Sequence, residues 1–108
     1  MPKIRKIPYT DDVVLYGRSI GCVNIGPTQL AATLKVGCDH GHDDLDRFEI
    51  LIVEGDGVSL AFYRHKGSPA DFANVCPING AGVDEVRRFL RISVPATSLV
   101  FEEYDELW

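Results

Sequence analysis

The sequence lacks any long apolar run. No stretch approaches the roughly 20 consecutive apolar residues that a membrane-spanning helix needs, so a bilayer is not an expected partner. It lacks a disulfide framework too, because three cysteines, Cys22, Cys38 and Cys76, are too few and too scattered to form one. The basic residues near the N-terminus have no apolar stretch behind them of the kind a secretory signal carries. Together these absences predict free thiols in a reducing compartment and a cytoplasmic location. Cations are also in the minority, 11 against 16 acidic residues for a net charge of −5. A chain that neutralises phosphates needs a basic face, so nucleic acid is not the expected main partner. There is no internal repeat and no low-complexity tract. Asn79-Gly80-Ala81-Gly82 is glycine-rich but lacks the spacing of either nucleotide fingerprint.

What the sequence does contain is a hairpin. Arg47 to His65 holds two runs rich in β-branched and aromatic residues, separated by Glu54-Gly55-Asp56-Gly57. Apolar runs joined by Asp-Gly are the strongest short-range hairpin signal. A two-residue loop at either Gly55-Asp56 or Asp56-Gly57 gives the same two faces. Leu51, Val53, Val58, Leu60 and Phe62 fall on one, with Glu49 and Arg64 near its open end. Phe48, Ile50, Ile52, Ala61 and Tyr63 fall on the other. A half-solvated antiparallel sheet alternates apolar with polar residues, and this one does not. The hairpin is therefore expected at the centre, with helices on one face and either more protein or a second subunit on the other.

Around it the chain reads as one α+β domain over residues 1–108 with a mainly antiparallel sheet of about six strands. Residues 1–8 read as a basic arm, with Pro2 and Pro8 discouraging regular pairing. Val13–Tyr16 and Ile20–Ile25 are predicted strands, and Gly21 within the second implies a bulge or a close backbone approach. Gly26-Pro27 reads as a turn. Residues 29–37 alternate with period two and predict a half-buried strand, although the alanines leave helix open. Ser68-Pro69-Ala70-Asp71 has the form of a capping box and predicts a short helix to about Val75. Val83, Val86, Phe89 and Leu90 make the stripe of a second helix over 83–92, so both helices are expected late in the chain. Thr97 to Phe101 predicts a last strand, and residues 102–108 an acidic tail.

Two acidic clusters carry the candidate sites. The first, Cys38 to Asp46, reads as a hydrophilic connection holding two of the three histidines. If it is extended, Cys38, His40, His42 and Asp44 lie on one side, a donor set that suits a divalent metal. The His-x-His-x-Asp spacing of His40, His42 and Asp44 resembles part of the metal motif of the metallo-β-lactamase superfamily. That motif continues with a histidine directly after the aspartate, where this chain has Leu45, so the family's activity is not implied. The second cluster is Glu102, Glu103, Asp105 and Glu106, interleaved with Tyr104 and Trp108.

No Ser- or Cys-based triad is legible, which points away from an enzyme. The first reading is a small non-enzymatic protein that neutralises a macromolecule with a basic surface, in the manner of an immunity protein, antitoxin or phage inhibitor. Asp43, Asp44, Asp46, Glu102, Glu103, Tyr104, Asp105, Glu106 and Trp108 would contact that partner, the aromatic residues as anchors. No cofactor is required by this reading. A second reading is a metal-binding domain or metal-dependent enzyme using His40, His42, Asp44 and Cys38. A third is a homodimeric accessory subunit joined through the hairpin's second apolar face.

Overall fold

The central hairpin exists as the sequence implies. In the computed structural model, which describes residues 4–9, 19–42, 47–55, 57–78, 82–93 and 99–104, β4 (Arg47–Gly55) and β5 (Val58–His65) pair antiparallel with Leu51 opposite Phe62 and Gly55 opposite Val58. The loop is thus Asp56-Gly57, and Gly57 takes φ +80°, a left-handed conformation that glycine adopts without a Cβ clash.

The fold is α+β. Its described strands form one mostly antiparallel open sheet in the order β1-β4-β5-β6-β2-β7, with β3 also on β4. The further strands are β1 (Arg5–Ile7), β2 (Gly21–Val23), β3 (Asp39–His42), β6 (Ala73–Pro77) and β7 (Phe101–Glu103), and the helices are α1 (Pro27–Thr33) and α2 (Val83–Ser93). Seven strands are described, one more than the sequence suggested. β1 and β3 share one edge of β4 end to end: Arg5–Ile7 lie opposite Glu54–Ile52, and Asp39–His42 opposite Ile50–Arg47.

The two faces divide as their alternation dictates. Leu51, Val53, Val58, Leu60 and Phe62 join Leu30 and Ala31 of α1 and Val86, Phe89 and Leu90 of α2 in the main core. Ile50, Ile52, Ala61 and Cys76 form a second cluster on the opposite face, flanked by Ile7, Tyr9, Phe48, Tyr63 and Ile78. Ile50, Ile52 and Ala61 have no exposed surface, so this face is covered within a single chain. Phe48 and Tyr63, on the same face, stay half-buried.

Several local expectations are corrected. The half-buried strand over 29–37 is instead α1, so one helix is early rather than both late. Pro27, Leu30 and Ala31 are its buried residues, a three-four spacing that the period-two count concealed by assigning Ala31 to the polar side. Gly26-Pro27 starts this helix: Gly26 is the N-cap, Pro27 supplies N1, and the Gln29 side-chain oxygen accepts the Gly26 N–H at 3.3 Å. Lys35 ends it at φ +60°.

The capping-box reading of Ser68–Asp71 fails. No helix follows; Ala73–Pro77 form β6, paired on both sides by β5 and β2. Ala73 and Val75 are drawn into the main core, and burial between two strands overrides a local helix signal. The arm at 1–8 contains β1 between its prolines, and the connection expected over 39–46 begins as β3. The last strand lies later than expected, at Phe101–Glu103, and so absorbs the start of the acidic tail. The strand expected at Val13–Tyr16 lies outside the described residues.

Candidate functional site

β7 ends the described strand order. On its inner side it is laced to β2 over its whole length: Val100 N–H donates to the Asn24 side-chain oxygen at 2.7 Å, and Tyr104 N–H donates to the Ile20 carbonyl at 2.9 Å. Gly21 permits that approach, because a Cβ there would strike the Glu102 carbonyl and the Phe101 ring. Phe101 turns inward and packs against the main core. Glu102 and Glu103 are exposed. Val100 and Tyr104, which bracket the strand, are 55% and 40% exposed, the only exposed large apolar side chains among the described residues.

Side-chain contacts tie this edge to its neighbours. The Tyr104 hydroxyl donates to Asn74 Oδ1 at 2.6 Å. Burial, with Cys22 as hydrogen-bond partner and neighbour, pushes the Tyr104 phenol up to about 12. Arg87 of α2 lies 5.2 Å from the Phe101 ring centroid and 3.3 Å from Glu103. That exposed pair leaves Glu102 as the acidic side chain of β7 without a side-chain ion pair among the described residues.

A concave region lies elsewhere on the sheet, at the open end of the hairpin. The ladder sets His40 opposite Glu49 and Glu49 opposite Arg64. Arg64 donates to Glu49 Oε1 at 2.8 Å and to the Ser68 carbonyl at 2.6 Å, while Thr28 of α1 donates to Glu49 Oε2 at 3.1 Å. The Arg64 hydrogen bond, seconded by Thr28, holds the Glu49 carboxyl below its ordinary value against the opposing effect of burial. His40, Arg47 and Lys66 are exposed around this open cleft of about 360 Å³, while the Phe48 ring packs beside Tyr9 and His65 on the second-cluster face.

The sequence-derived metal set is only partly visible. Cys38 turns towards the main core, with Sγ near the Asp39 and Ile50 carbonyls at 3.5 and 3.6 Å. Burial raises the Cys38 thiol's pKa. His40 faces Glu49 instead. Among the described residues no three His, Cys, Asp or Glu side chains converge as a metal set would. The His42 side chain and Asp44 lie outside them, as do Asp43, Asp46, Asp105, Glu106 and Trp108. Of the expected partner-binding residues, the structure therefore gathers Glu102, Glu103 and Tyr104 on one edge.

Val100 and the cleft cations had no signal of their own in the sequence. The hairpin register could have found part of the cleft, since it already sets Glu49 against Arg64. No helix among the described residues is long and apolar enough to cross a membrane. No family model matches the chain, and no curated protein or solved structure resembles it closely enough to count as a match.

Proposed function

We propose that this chain is a non-enzymatic binding protein that docks on a basic macromolecular partner and neutralises it, with β7 as the docking edge. One observation carries the reading: the two exposed large apolar side chains, Val100 and Tyr104, flank an acidic strand at the end of the described strand order. An outer strand edge to which no described strand pairs offers main-chain donors and acceptors to an added strand. Glu102 supplies the charge that a basic partner would seek, and opposite potentials speed encounter. Tyr104 suits the role of anchor because its hydroxyl is already tied to Asn74, which reduces the ordering cost of binding.

The test is native mass spectrometry of the untagged protein isolated from its own host, beside the variant Val100→Asp with Glu102→Lys. A protein held at fixed stoichiometry by the parent and released by the variant, with unchanged melting, supports the reading. A second copy of this chain in place of a foreign protein would establish edge-to-edge dimerisation instead. A partner retained by the variant would move the interface away from β7.

A further inference from the structure

We propose, on the reading of β7 as the docking edge, that this strand takes up one extended segment of its partner, in which a lysine or arginine is flanked two residues to either side by apolar side chains. The main chain fixes which groups are on offer. Asn24 N–H donates to the Val100 carbonyl at 3.3 Å and Tyr104 N–H to the Ile20 carbonyl at 2.9 Å, so the even-numbered residues of the strand face β2. Hydrogen-bonding direction alternates along an antiparallel pair. The N–H and C=O groups of Phe101 and Glu103 therefore point away from β2, to the side where no described strand lies. Such outward donors and acceptors are the template for an added strand.

The side chains set the pattern of the incoming segment. Val100, Glu102 and Tyr104 share one face of the sheet, because successive residues alternate. With the outward groups on Phe101 and Glu103, Glu102 takes a non-hydrogen-bonded position, where an antiparallel partner's Cα comes within about 4.5 Å and side chains are closest. A cation there meets a carboxylate that has no side-chain ion pair among the described residues. Two residues to either side of that cation, the segment lies against the exposed Val100 and Tyr104, which favours apolar side chains. Tyr104 is steadied for the contact by the bond from its hydroxyl to Asn74. The intervening residues fall on the α2 side, where Arg87 already pairs with Glu103 and lies over the Phe101 ring, so uncharged residues suit them. The pattern reads the same in both directions, and parallel and antiparallel segments present the same set.

A second copy of this chain is a poorer occupant. Two β7 edges related by a twofold axis run antiparallel, and their outward groups must meet, so Phe101 or Glu103 of one copy lies opposite Phe101 or Glu103 of the other. If Phe101 meets Glu103, Glu102 faces its own counterpart. If Phe101 meets Phe101, Glu102 faces Val100. If Glu103 meets Glu103, those two carboxylates face each other and Glu102 faces Tyr104. No register sets a cation against Glu102, and like charges directly opposite are destabilising. The net charge of −5 adds to the repulsion between copies. A foreign segment that brings its own cation fits where a second copy does not.

Amide NMR of the full chain with synthetic heptapeptides tests this. The probe Thr-Val-Thr-Lys-Thr-Val-Thr has the required pattern. One control carries glutamate in place of the lysine, and a second, Thr-Val-Lys-Thr-Thr-Val-Thr, moves the lysine one position and so to the other face. The probe is expected to bind saturably, to slow hydrogen exchange at the Phe101 and Glu103 amides, and to bind roughly tenfold more tightly than the glutamate control. The shifted control should also bind more weakly than the probe. Glu102→Lys, a change at an exposed side chain, should reverse the preference between lysine and glutamate peptides. Equal binding of all three peptides to the unchanged chain overturns the proposal, and so does the absence of protection at those two amides. The docking reading fails separately. If the host partner stays bound to Val100→Asp with Glu102→Lys while the probe binds as expected, the strand site stands and the partner docks elsewhere. If that variant releases the host partner but the chain shows no preference among the peptides, β7 remains the docking edge and the segment assigned to it is wrong.

Discussion

The carboxylate of Asp39 accepts the backbone N–H of Tyr9 at 2.8 Å, across 30 residues of sequence. Its other oxygen meets the Lys6 ammonium at 3.2 Å. Asp39 begins β3, and Tyr9 follows β1 after Pro8, so this one side chain splices two short strands that abut along the same edge of β4.

Removing the splice should loosen β1. Asp39→Ala is expected to destabilise the fold by about 2 kcal/mol, the scale for a charged hydrogen bond lost from a partly buried donor. Asp39→Asn keeps an oxygen for Tyr9 and loses only the ion pair with Lys6, which should cost under about 1 kcal/mol. Urea denaturation of the two variants measures the difference. Equal losses would show that the Tyr9 bond contributes little.

The doubly buried hairpin makes a sharper prediction. Ile50 and Leu51 are neighbours that point to opposite faces, and both are fully buried. Ile50→Ala and Leu51→Ala should each cost about 3 kcal/mol by loss of transfer energy and creation of a cavity. A half-solvated sheet would give one large loss and one small one. A near-neutral Ile50→Ala in thermal unfolding would show that the second face is open in solution.

Gly21→Ala should detach β7 selectively. The added methyl would meet the Glu102 carbonyl oxygen and approach the Phe101 ring at 2.8 Å, an overpacking worth about 1–3 kcal/mol. Hydrogen exchange should report it as faster exchange at the Tyr104 amide, which donates to Ile20, while amides of the central hairpin keep their protection. Uniformly faster exchange would contradict a local effect.

Glu49 bears on the acid limit, and Tyr104, together with the Cys38 and Cys76 thiols that burial also raises, on the alkaline one. The Glu49 carboxyl is lowered from 4.5, chiefly by its hydrogen bond from Arg64. Its contribution is complete above that value and disappears as pH falls through the lower folded value. The Tyr104 phenol is raised from 10.0 to about 12, chiefly by burial. Its contribution is complete below pH 10 and fades towards pH 12. Melting temperature against pH should therefore fall at both extremes. Arg64→Gln should flatten the acid limb and Tyr104→Phe the alkaline one; an unchanged limb in either variant assigns that loss to other groups.

The parts of this fold that the sequence discloses are those whose pattern has one interpretation. Arg47–His65 alternates cleanly on both sides of an Asp-Gly turn, so its pairing and both faces follow directly. Pro27 to Val36 satisfies two periods at once. Leu30, Ala32, Leu34 and Val36 alternate, while Pro27, Leu30 and Ala31 have helical spacing, and only packing under the sheet decides between them. Ser68–Asp71 carries a valid local cap, but Val75 is worth more between two strands than on a short helix.

The candidate docking edge was legible as charge, through Glu102 and Glu103, and not as position. Nothing local reveals that these residues pair with Gly21–Val23. The cleft needs the joint placement of His40, Arg47, Arg64 and Lys66, which begin on separate segments and converge only when β3, β4 and β5 are in register.

The strand order has a consequence for how the chain is made. β1 pairs with residues near position 53, and β2 lies between β6 and β7, both far later in the sequence. A ribosome delivers residues in order, so Arg5–Ile7 and Gly21–Val23 emerge long before their partners. During that interval β2 has two open edges, and the apolar residues of the hairpin wait for α2 to cover them. Such non-local pairing slows folding and lengthens exposure to misassembly. Synthesis stalled before Phe101 would leave the other described strands in place with β2 uncapped, and this chain's yield in cells should depend on how quickly β7 arrives.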